Sequence, residues 1–207
     1  METVKILYID DDIDSNISNY LYDFCDNDSQ NDCEKDQFLF EYNEQKFSNE
    51  ETYESLLLSK KIANADIILI DSKLFENSNI KGCKFTGEEF KLVLKKFYPY
   101  IEVLVITQNT IDNDITMISK YNPFCGKTPA EYYGSILPTH INNAIANIEQ
   151  YWLLSEKLSN NENWDAMLKS KVFATLNGND QYDELTKADV DNLIQAFKDI
   201  QGVLDNE

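Results

Sequence analysis

Three short runs along the chain, 6–9, 67–70 and 101–106, are apolar at nearly every position. Runs of this length bounded by polar residues predict strands buried on both faces, the habit of parallel sheets covered by helices. Between them the pattern changes to a helical period. Ile13, Ile17, Tyr20, Leu21 and Phe24 make one stripe, and Tyr53, Leu56, Leu57 and Ile62 make another within 49–63. Thr86, with Glu88 and Glu89 where the helix dipole favours acids, caps a helix reaching about Phe97. Alternating Phe38, Phe40 and Tyr42 predict a strand over 37–42, nearer a sheet edge. Residues 25–36 and 72–85 read as loops, 112–121 as a weakly apolar helix, and 123–126 as a poor fifth strand leading into Lys127.

Strand and helix in alternation predict an α/β fold, a doubly wound five-stranded parallel sheet with helices on both faces, occupying 1–137. Beyond Pro138, Ile141, Ile145, Ile148 and Trp152 recur at helical spacing, predicting an extended linker helix over 138–160. After a polar break, Trp164, Met167, Leu168, Phe173 and Leu176, then Val190, Leu193, Ile194, Phe197 and Ile200, predict an acidic helical hairpin over 161–207, a C-terminal all-helical extension. A hairpin of this size buries little apolar surface alone, so it should pack on the long helix, on the first domain or on a second chain.

Charge narrows the partners. The 207 residues carry a formal net charge of -19, and all 18 strongly basic side chains are lysines. Nucleic-acid affinity rests on Lys and Arg neutralising phosphates, so the expectation is no nucleic acid, and the same field disfavours anionic membranes. Cys25, Cys33, Cys83 and Cys125 contain no C-x-x-C pair, and free thiols in a reducing cytoplasm are expected. The N-terminal apolar run is too short for a signal peptide and ends in acids, and no run reaches the length of a membrane span.

The strand ends carry the candidate chemistry. Asp10, Asp11 and Asp12 follow the first strand, Asp71 the third, Thr107 the fourth and Lys127 the fifth. In open α/β sheets this edge binds ligands, and carboxylates crowded there repel unless a cation or protons neutralise them. Mg²⁺ suits the need, since it takes one or two carboxylates and keeps waters for the rest of its octahedron. Carboxylates, a hydroxyl and an ammonium together suit phosphoryl transfer: acids hold the metal, a further carboxylate is the nucleophile, and the lysine and hydroxyl neutralise the transferred oxygens. Blander readings stand beside this one. The acids are then a solvated turn in an acidic protein, Thr107 merely ends a strand, and Asp71 and Lys127 form a structural pair. His140 has no acidic or cysteine neighbour in sequence and reads as a surface or packing residue.

Residues 4–150 resemble the receiver domain of two-component response regulators, which has a flavodoxin-like (CheY-like) fold. The resemblance rests on the five strand-end elements in order, on Thr86-Gly87 opening a helix, and on Tyr98-Pro99 followed by Ile101-Glu102-Val103. It implies that Asp10 and Asp11 hold Mg²⁺, that Asp71 accepts the phosphoryl group, and that the Lys73 carbonyl is a further metal ligand. It also implies that Thr107 is the hydroxyl switch, Phe124 the aromatic that turns inward, and Lys127 the lysine that pairs with the phosphoryl group. Lys127 departs from the family in being followed by Thr128 before Pro129, and the 72–85 loop is long. The implied function is a signalling protein phosphorylated on an aspartate in a Mg²⁺-dependent reaction, its enzymology at most self-phosphorylation and dephosphorylation. The implied partners are a sensor histidine kinase or phosphotransfer protein and a downstream protein, and the expected output is either self-association through the Ile141, Ile145, Ile148, Trp152 stripe or docking of a partner. Two alternatives remain: a non-phosphorylated scaffold with the receiver fold, and a phosphohydrolase of the haloacid-dehalogenase type, since Asp10-Asp11-Asp12 also fits an Asp-x-Asp signature.

Overall fold

β1 (Glu2–Asp10) runs beside β2 (Phe38–Lys46) on one side, from Glu2 opposite Phe38 to Asp10 opposite Lys46, and beside β3 (Ile67–Asp71) on the other, from Ile6 opposite Ile67 to Ile9 opposite Ile70. β4 (Glu102–Thr107) continues the sheet from β3, and β5 (Met117–Ser119) closes it, with Thr107 opposite Ser119. All four pairings are parallel and the order is β2-β1-β3-β4-β5, the flavodoxin-like arrangement. A computed structural model describes residues 2–26, 38–48, 50–75, 86–108 and 117–160, together with 166, 169, 170, 172 and 173.

The uninterrupted apolar runs are explained by two separate cores. Val4, Ile6 and Tyr8 of β1, with Ile67 and Leu69 of β3, face α1 (Ser15–Asp26) and α5 (Pro129–Ser159). Leu7 and Ile9, with Ile68 and Ile70, face α2 (Tyr53–Leu57), α3 (Lys60–Ala63) and α4 (Gly87–Phe97). Successive strand residues point to opposite faces, so a strand covered on both sides has no position left for a polar residue until it ends. On the second face, Phe75 packs edge to face between Phe47 and Phe90, with ring centroids 5.0 and 5.2 Å apart. This wedge anchors the chain immediately after β3.

Several sequence expectations need correction. The helix expected over 49–63 is two short ones, because Thr52 caps the first and Ser59, accepting from the Lys61 N–H, caps a second. Residues 117–119 form the edge strand rather than the end of a helix. Residues 123–126, expected as the fifth strand, form a 3-10 turn (Pro123–Cys125) capped by Asn122, and Gly126 leaves it at φ +74°. No linker helix starts at 138. α5 begins at Pro129 behind a Thr128–Glu131 capping box and runs through Pro138 as one element. Its Tyr133, Leu137, Ile141, Ala144, Ile145 and Ile148 are buried in the first core, and Trp152 meets Phe38 with ring centroids 6.0 Å apart. The stripe expected to mediate self-association is therefore core. The hairpin expected over 161–207 lies outside the described residues, apart from the five named above, as does 76–85 of the long loop. No helix of the described residues is long and apolar enough to cross a membrane.

Ile141 measures whether α5 is a structural part of the sheet layer beyond Pro138. It is 0% exposed, so Ile141→Ala should lower unfolding stability by about 2–5 kcal/mol in urea denaturation. A loss below about 0.5 kcal/mol, as expected of a surface position, would mean that α5 is a free linker.

Candidate functional site

The order of the sheet reverses between β1 and β3, and both strands end there in a buried aspartate. Asp10 is 1% and Asp71 4% exposed. With the half-buried Asp11, each offers one carboxylate oxygen, and these lie within 4.8 Å of one another. An all-oxygen donor set of this spacing can hold a metal ion. The three line an open depression of about 410 Å³, with Asp12, Lys73, Gln108 and Lys120 also on its wall.

Lys120 supplies the cation of the site. Its Nζ lies 2.6 Å from Asp71 Oδ1 and 3.5 Å from Asp10 Oδ2. It follows directly on β5, and its N–H donates to the Thr107 carbonyl at 2.7 Å, so the β4–β5 register aims it at the acids. Burial pulls the ammonium's proton affinity down, but the hydrogen bond and charge of Asp71, with the charge of Asp10, more than reverse this and hold it above the ordinary lysine range.

Each carboxylate is fixed by further hydrogen bonds. Asp71 Oδ2 accepts from the Lys73 N–H at 2.8 Å. Asp10 Oδ1 accepts from the Asp12 N–H at 3.0 Å, and its Oδ2 accepts from the Tyr8 hydroxyl at 2.5 Å. Burial raises the Asp10 carboxyl above its usual range, outweighing the lowering by these two bonds. Burial also pushes the Tyr8 phenol far up, with Asp10's charge adding to it. The β3 end is clamped to α4. The Gly87 N–H donates to the Ser72 carbonyl at 2.8 Å, and the Ser72 hydroxyl meets both Glu88 carboxylate oxygens at 2.7 and 2.9 Å. Only glycine fits at 87, since a Cβ there would lie 2.4 Å from the Asp71 carbonyl oxygen.

Asp10, Asp11, Asp71, Lys73 and the buried Thr107 thus gather at one sheet edge. Lys127 and Phe124 do not join them. Lys127 is exposed, with its Nζ 3.3 Å from Ser135 Oγ, and it lies seven residues beyond the lysine that reaches Asp71. Phe124, expected to turn inward, is 96% exposed in the 3-10 turn. Both displacements have one cause: the fifth strand lies earlier than 123–126. The missed signal was the short run Met117-Ile118-Ser119 closing in a lysine. Three residues carry too little alternation to stand out from a helix. Tyr8 was also missed as a site residue, although i and i+2 on a strand share a face and so place it beside Asp10. Comparison with protein-family models, curated proteins and solved structures finds no match for this chain.

A carboxyl whose folded pKa is raised contributes stability that is fully present below the unfolded value, about 3.9, and lost as pH rises through the folded one. Asp10 therefore favours folding less at neutral pH than at low pH. Asp10→Asn should raise the melting temperature in EDTA at pH 7. The gain should vanish below about pH 4, where the wild-type carboxyl is protonated in both states. A lower melting temperature for Asp10→Asn at pH 7 would contradict the burial argument.

Proposed function

We propose that the chain is a receiver-type phosphoacceptor, in which Asp71 takes a phosphoryl group in a Mg²⁺-dependent reaction. The observation that carries this reading is the buried Asp71 carboxylate, 2.6 Å from Lys120 and within liganding distance of Asp10 and Asp11. An Asp71 oxygen attacks the phosphorus of a phosphohistidine or a small acyl phosphate. The new O–P bond forms as the donor's P–N or P–O bond breaks and its electron pair leaves with the donor. Lys120, in place of Lys127, pairs with the transferred oxygens, and the Thr107 hydroxyl donates to one of them. Mg²⁺ bound by Asp10, Asp11, Asp71 and the Lys73 carbonyl would neutralise charge on the same oxygens. The donor is then a histidine kinase or phosphotransfer protein, and the output a protein contact, consistent with the acidic charge.

A haloacid-dehalogenase-type hydrolase is less well supported, because it would make Asp10 the nucleophile and leave the buried Asp71 without a role, and Asp12, the second acid of that signature, is exposed. The non-phosphorylated scaffold is supported by one observation, that a single ammonium already touches two of the three acids.

Incubation with acetyl phosphate and Mg²⁺ should add one phosphoryl group by intact mass, and Asp71→Asn or EDTA should abolish it. Lys120→Met should bind Mg²⁺ but lose the beryllofluoride-induced change in tryptophan fluorescence, whereas Lys127→Met should respond as wild type. Unmodified wild-type protein would favour the scaffold, and modification on Asp10 would favour the hydrolase.

A further inference from the structure

Tyr8 stands out among the core residues because its hydroxyl belongs to the acidic site. The side chain is 0% exposed, yet its oxygen donates to Asp10 Oδ2 at 2.5 Å and accepts the Asp14 N–H at 3.3 Å. It therefore holds both ends of the 10–14 turn, the turn that also carries Asp11. On the open side of the same Asp10 oxygen stands Lys120, 3.5 Å away. That spacing is longer than the 2.6 Å separating Lys120 from Asp71.

We propose that Tyr8 is a positioning residue for cation binding: by holding the Asp10 carboxylate and the turn behind it, the phenol prevents Lys120 from collapsing onto Asp10 and so keeps the acids available to a divalent ion. Remove the hydroxyl, and Asp10 Oδ2 loses its strongest partner in a buried place. The nearest remaining charge is Lys120, and a tightened Asp10–Lys120 pair competes with the metal for one carboxylate. Groups that orient metal ligands from behind commonly govern affinity to this degree. The inference rests on the metal reading of Asp10, Asp11 and Asp71 but adds a residue that the receiver resemblance does not assign.

Calorimetric titration of the full chain with MgCl₂ separates the two. Tyr8→Phe should weaken Mg²⁺ affinity about tenfold, the lower end of what loss of such a supporting group costs. Tyr42→Phe, which removes a hydroxyl bonded to Glu44 away from the acids, should leave the affinity unchanged. Lys120→Met should tighten binding, and in that background Tyr8→Phe should cost less than twofold, because the competing ammonium is gone. A merely structural tyrosine would give the same loss in both backgrounds, and that result would overturn the proposal, as would Tyr8→Phe binding Mg²⁺ like wild type. Wild-type protein that binds no Mg²⁺ would overturn the metal reading itself and this inference with it.

Discussion

Carboxylates crowded at the ends of β1 and β3 are the constraint on which the rest of the site depends. Two of them are almost wholly removed from water, at the place where the strand order reverses. Buried like charges are tolerated only where donors and cations surround them. Here the donors are the Asp12 and Lys73 backbone N–H groups and the Tyr8 phenol, and the cation is Lys120. Each comes from a different part of the fold. The turn after β1, the turn after β3, the β1 core face and the edge strand β5 must all be in register for the acids to be held.

The packing beneath the site supplies that precision. The Phe47, Phe75 and Phe90 wedge seats the turn after Asp71, and Gly87 lets the first turn of α4 touch the Asp71 carbonyl with no side chain between them. The Ser72–Glu88 pair then ties β3 to α4 by side chains as well as backbone. The residue that follows Asp71 is thus bonded directly to that helix. On the other face, α5 covers the sheet from Tyr133 to Ile148, with Trp152 meeting Phe38 at the start of β2.

Residues that depart from local expectation concentrate around the acids. Asp10 is raised by burial, Lys120 is raised by its partners, and Tyr8 is a phenol used both as core and as donor. Perturbed groups gathered in a depression make a candidate functional site. Lys95, by contrast, meets Glu102 at 2.7 Å and joins α4 to β4 at the far end of the strand, outside any cluster of three potential metal ligands among the described residues. The two pairs are of similar length but differ in surroundings. Only the first lies at the edge that open α/β sheets use for ligands.

Much of this was legible in the chain itself. Continuous apolar runs at 6–9 and 67–70 required strands covered on both faces, and an acid at the end of each required the acids to meet at one edge, because parallel strands end together. The capping residue Thr86 also stands in the sequence, and α4 starts at it. What tertiary structure alone decided was which lysine answers the acids. Lys120 and Lys127 are alike in isolation, and the choice falls to the three-residue pairing of β4 with β5, too short to announce itself by alternation. It also decided that the apolar stripe past Pro138 is core rather than linker, since a helical period states that a face is apolar without stating what covers it. Likewise a tyrosine in an apolar strand reads as packing until the fold brings an acid within reach of its hydroxyl.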